Sequence, residues 1–125
     1  MTWQCRLLDA PPKLEDGYLD WQKLEVGDMF YIDRPEEALR EMHISEYYWA
    51  NNAAKRKPIA VILPGKHYFC VDQMCYSGTG GYSGGWTVTG DAPKITVHPS
   101  INYVGSYHGY LTDGVITDDV EGRSF

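Results

Sequence analysis

The chain has 125 residues, 43% hydrophobic and 22% charged, with a formal net charge of −6 at neutral pH. That length carries one domain with a modest core, and the acidic balance argues against an electrostatic nucleic-acid binder, which needs clustered Lys and Arg. No run reaches the roughly 18 apolar residues of a membrane span, and the opening MTWQCRLLDA lacks a signal-peptide layout, so a cytoplasmic protein is expected.

Residues 1–34 alternate turn signals (APP, EDG, EVGD) with short apolar runs such as MFYI, and read as loop with two short strands. At Pro35 the pattern changes. Asp33 is placed to cap a helix, Pro35 fits its first turn, and Glu36 stands four residues before Arg40. Ser45 offers a second cap, so the segment 35–57 holds either one helix or two, over 35–42 and 45–55. Its acidic start and its Lys55-Arg56-Lys57 end both suit the helix dipole.

Pro58 stops the helix, and IAVIL, residues 59–63, is a continuous apolar run that predicts a buried strand. Leu63-Pro64-Gly65-Lys66 has the signature of a type II turn, and KHYFCVD is the return strand. The glycine-rich SGTGGYSGG, residues 77–85, lacks the Gly-Lys-Ser/Thr ending of a phosphate loop and reads as a flexible connector or as a mobile lid. WTVTG, KITVHPS, INYVGSYHGYL and GVIT read as short antiparallel strands, with Asp91-Ala92-Pro93 and Thr112-Asp113-Gly114 as turns. The acidic tail DDVEGRSF reads as surface.

The expected fold is α+β: a short N-terminal helical segment, then a mainly antiparallel sheet of about six short strands and hairpins. A single domain spans 1–125, with 1–57 as a variable N-terminal part with helices and 58–125 as a β-rich core. The three cysteines, Cys5, Cys70 and Cys75, are too sparse and uneven for a disulfide framework. His67, Cys70 and Cys75 give H-x2-C-x4-C, a partial zinc pattern lacking a fourth ligand, while Cys70 within YFCV also reads as a core thiol.

The densest chemistry lies in HPSINYVGSYHGYLTDG, residues 98–114. Folded back around Val104 to Ser106, this stretch sets Ser100 opposite or diagonal to His108, on one face, because side chains alternate with period two. A serine hydroxyl beside an imidazole is the minimum nucleophile and base pair. Gly109 permits close approach of a substrate and offers an N–H to an oxyanion. Spacing alone leaves the orienting acid open between Asp113 and Asp72. Tyr103, Tyr107 and Tyr110 either line a cleft or pack, while His98 reads as an exposed strand residue and His43 as structural.

The pieces GWTVTGDAP, Pro99-Ser100-Ile101 and HGYLTDG (His108 to Gly114) resemble domain-of-unknown-function family 6527. These are small bacteriophage and prophage proteins with relatives in bacterial ubiquitin-like conjugation operons. The similarity covers residues 58–123. It implies a serine peptidase or deconjugase with Ser100 as nucleophile, His108 as base and Asp113 as the third member. Tyr107, Tyr110 and Gly109 would then contact substrate, and residues 77–85 would gate access. The expected partner is a protein or peptide, without cofactor, metal, nucleic acid or membrane, in the cytoplasm (of the host, for a phage-encoded chain). Two rivals stand beside this expectation. One is a noncatalytic bacteriophage binding or structural protein with a tyrosine contact surface. The other is a zinc module built from His67, Cys70, Cys75 and His108.

Overall fold

A computed structural model of the chain describes every residue except 77 and 78. Two-residue strands β1 (Trp3–Gln4) and β2 (Arg6–Leu7) open the chain, and a single 3-10 turn at Trp21–Lys23 leads into β3 (Asp28–Tyr31). Of the two helical readings the divided one holds, as α1 (Glu36–Glu41) and α2 (Glu46–Asn51). The break falls at His43, whose φ is +58°, and Ser45 caps α2 by accepting from the Tyr48 amide at 3.2 Å. Asp33 does not cap α1. It pairs with Lys57 at 2.8 Å, and the helix starts at Pro35 with no side-chain cap. The end of the segment is also used differently, since Arg56 turns inward to Asp72 rather than lying along the helix axis.

The rest is β: β4 (Ile59–Leu63), β5 (His67–Cys70), β6 (Cys75–Tyr76), β7 (Tyr82–Ser83), β8 (Thr87–Thr89), β9 (Thr96–Tyr103), β10 (Tyr107–Thr112) and β11 (Val115–Ile116). They form a five-stranded sheet in the order β1-β11-β10-β9-β8, a four-stranded sheet β2-β3-β4-β5 and a small β6–β7 ribbon. Every pairing is antiparallel except β2 with β3. The fold is α+β and dominated by sheet, as expected. Its strands outnumber those foreseen because two-residue edges carry no readable alternation.

Parity along each strand sorts the core into two layers. Met29, Val61, Leu63 and Phe69 of the four-stranded sheet pack against Val97, Ile101, Leu111 and Ile116 of the five-stranded one. The alternate residues Phe30, Ala60, Ile62 and Cys70 face the other way, under Leu39, Ile44 and Tyr48 of the helical segment. β4 is thus covered on both faces, which is why IAVIL is apolar throughout instead of alternating. The layers run helices, sheet, sheet, and the outer face of the five-stranded sheet meets solvent. The N-terminal part contributes strands to both sheets: Trp3 pairs with Ile116, and Met29 with Val61.

Candidate functional site

β9 and β10 form the hairpin expected from the sequence, turning at residues 104–106 with Asn102 opposite His108 and Gly109 opposite Ile101. Past Gly109 the register slips, so that Leu111 faces Val97 and the three residues 98–100 stand against Tyr110 alone. Such a bulge re-aims side chains. Val97 and Ile101 remain buried, while Ser100 and Asn102 lie on the open face. Trp86 anchors the bulge by donating its indole N–H to the Ser100 carbonyl at 3.1 Å.

Ser100 is therefore diagonal to His108, and its Oγ lies 3.1 Å from His108 Nε2. The other ring nitrogen, Nδ1, lies 3.1 Å from Glu121 Oε2. Nδ1–H donating to the carboxylate leaves Nε2 as an acceptor for the serine hydroxyl, the tautomer that proton abstraction from serine requires. The imidazole is about a quarter exposed (27%), so it is sheltered yet reachable.

The tail brings Glu121 there. Beyond β11 the chain runs on along the same side of β10, with the Thr117 amide on the Tyr110 carbonyl at 2.9 Å and the Val120 amide on the His108 carbonyl at 2.7 Å. Asp119 locks this strap. Its side chain is fully buried and accepts from the His108 amide at 2.7 Å, from the Arg123 amide at 2.7 Å and from the Arg123 guanidinium at 3.0 Å. Burial by itself pushes the Asp119 carboxyl up, but these donors and the Arg123 charge hold it below its ordinary value. Arg123 also reaches Glu121 at 3.5 Å.

Other expected site residues lie elsewhere. Asp113 sits in the tight turn after β10, at φ +47°, with its amide on Thr96 Oγ1 at 2.9 Å. Strand rise places it about 15 Å along the sheet from His108, so the carboxylate on the imidazole is Glu121, not Asp113. Asp72 is excluded as well, since it is buried and binds Arg56 through both oxygens at 2.8 and 3.0 Å. Tyr107 points into the core, fully buried, with its hydroxyl donating to the Thr117 carbonyl at 2.7 Å. Gly109 shares that inner face, where a Cβ would collide with Tyr107 Oη, so its missing side chain makes room for the ring instead of for substrate. Tyr110 alone of the three expected contact residues is exposed on the His108 face.

Of the 77–85 gate, residues 77 and 78 lie outside the described residues. Tyr82, further along, stacks on His43 with ring centroids 3.8 Å apart, so this part of the segment is docked at the helix junction. The zinc quartet is not assembled. His67 and Cys70 stand three apart on β5 and face opposite ways, His67 stacking on Tyr103 and Cys70 buried under the helices, its thiol pushed up to about 12 by burial. Among the described residues no group of three or more His, Cys, Asp or Glu is placed to hold a metal ion. Nor is any helix among them long and apolar enough to cross a membrane.

Two site residues went unread in the sequence. Glu121 lies in a stretch that looks like a solvated acidic tail. Asn102 was legible in principle, being two residues from Ser100 and hence on its face. It is exposed, directly across from His108, and its side-chain amide has no hydrogen-bond partner among the described residues. No protein-family model, curated protein or solved structure matches the chain, so the resemblance to family 6527 rests on the quoted motifs.

Proposed function

We propose that this chain is a small serine hydrolase that cleaves an ester or amide bond in a protein or peptide. The observation that carries the reading is the unbroken relay of Ser100, His108 and Glu121, with 3.1 Å at both links. Ser100 Oγ attacks the carbonyl carbon while His108 Nε2 takes the hydroxyl proton. The imidazolium then gives that proton to the departing amine or alkoxide, leaving an acyl-serine that water hydrolyses by the same relay. Glu121 holds the ring and offsets the charge on the imidazolium. Asn102, free and beside the nucleophile, supplies an N–H donor to the oxyanion, the role expected earlier of Gly109.

The relay lies on an open sheet face beside the exposed Tyr110, a setting that suits an extended polypeptide. The resemblance to family 6527 supports a peptidase or deconjugase working in the cytoplasm. The decisive test is labelling with a fluorophosphonate probe followed by intact mass. One adduct on the wild type and none on Ser100→Ala is the expected result. Absence of labelling on folded wild-type protein would sink the hydrolase and leave a noncatalytic binding protein, a reading that the exposed Tyr18, Tyr76 and Tyr110 favour.

A further inference from the structure

A cavity of about 1030 Å³ lies between the loop of residues 9–21 and the helix-side face of the four-stranded sheet. Phe30 and Tyr68 at its floor point toward the helical layer, whereas Ser100 and His108 project from the far face of the other sheet. Two sheets separate the cavity from the relay, so its occupant is distinct from the hydrolase substrate.

The walls are preformed. The loop is closed by a bridge between Lys13 and Leu19, by the Leu14 amide on the Tyr18 carbonyl at 2.8 Å and by the Asp20 amide on the Pro12 carbonyl at 2.9 Å. Tyr18, Trp21 and Tyr68 give the cavity flat aromatic sides. Such faces favour a planar ring in offset or edge-on contact. Around them three cations, Lys13, Arg34 and Lys57, stand against two carboxylates, Asp9 and Asp33, in a chain whose overall charge is −6. Lys57 is engaged with Asp33 at 2.8 Å, and Lys13 also acts on Asp33. Arg34 has no ion-pair partner among the described residues, which leaves a fork able to take a carboxylate, sulfonate or phosphate through two hydrogen bonds. The volume is that of a small-molecule site.

We propose that this cavity binds a small planar aromatic molecule bearing one anionic group, with its ring against Trp21 and the tyrosines and its anion on Arg34. The site does not depend on the hydrolase reading. The test is calorimetric titration of the full chain with two dyes of similar shape, anionic 1-anilinonaphthalene-8-sulfonate and uncharged N-phenyl-1-naphthylamine. One sulfonate should bind per chain, at least about tenfold tighter than the neutral dye. Arg34→Glu should abolish that preference, Trp21→Leu should weaken both dyes, and Ser100→Ala should change neither. Failure of the sulfonate to bind, equal affinity for the two dyes, or an Arg34→Glu affinity within twofold of wild type each overturns the proposal. Loss of fluorophosphonate labelling bears only on the relay.

Discussion

His108 is gripped through its backbone as well as its ring: its amide donates to Asp119, its carbonyl accepts from Val120, and its two ring nitrogens meet Ser100 and Glu121. An imidazole so held presents Nε2 to the hydroxyl without a rotamer search, the preorganisation that general-base catalysis needs. Glu121→Gln loses the anion that stabilises the imidazolium. Because Glu121 is half exposed (49%), the loss in kcat on a p-nitrophenyl ester should exceed about tenfold yet fall short of the ~10⁴ seen for a buried triad acid. Asp113→Asn should leave kcat within about twofold, because it touches nothing in the relay. Asn102→Ala should lower kcat by about 10²-fold with KM little changed, as removal of an oxyanion donor does. A change confined to KM would instead make Asn102 a ground-state contact.

At the scale of elements, the hairpin and the tail are two pieces with different security. The hairpin is a continuous ladder whose partner lies a few residues away, so its register follows from local sequence. The strap of residues 117–123 hangs on a few hydrogen bonds, and Asp119 makes three of them. Its carboxyl titrates below the ordinary value in the folded chain, so its anion adds stability that is complete above the unfolded value, about pH 4. That contribution drains away as pH falls through the lower folded value. Asp119→Asn should therefore lower the melting temperature at pH 7 and flatten its decline between about pH 5 and pH 3. It should also speed hydrogen exchange at the Val120 amide and reduce esterase activity at neutral pH, because Glu121 loses its placement. A variant with wild-type activity and exchange would show that the strap does not depend on Asp119.

For the whole molecule, the sandwich of helices on two sheets is pinned by charge at its least hydrophobic points. Arg56 and Asp72 pair at 2.8 Å inside the protein, and Asp72 also accepts from the Ile59 amide at 2.9 Å, tying the end of the helical segment to the start of β4. Arg56→Ala strands that carboxylate in the interior, and urea unfolding should show a loss of about 3–5 kcal/mol. Arg56→Met, which loses the guanidinium over Tyr48 but keeps an apolar stem to fill the space, should lose less. A loss below about 1 kcal/mol for the alanine would mean that water reaches Asp72.

Much of this architecture was legible in the residues themselves. Apolar IAVIL announced a buried strand, Ser45 a helix start, Asp113-Gly114 a tight turn, and the spacing of Ser100 and His108 a shared face. Each is a matter of local covalent geometry: side chains alternate along a strand, small polar groups cap, and glycine accepts a positive φ. The same alternation bears on Tyr107, which is one residue from His108 and so belongs to the opposite, buried face. Which carboxylate meets the imidazole was not local. Asp113 is nearer in sequence but is carried away by the rise of its own strand, while Glu121 returns because the tail continues past the short β11 along the same side of β10. Local alternation set the hairpin and the face that Ser100 shares with His108. Glu121 was selected by the assembled fold, because pairing over that distance depends on which backbone groups the other strands leave unmatched.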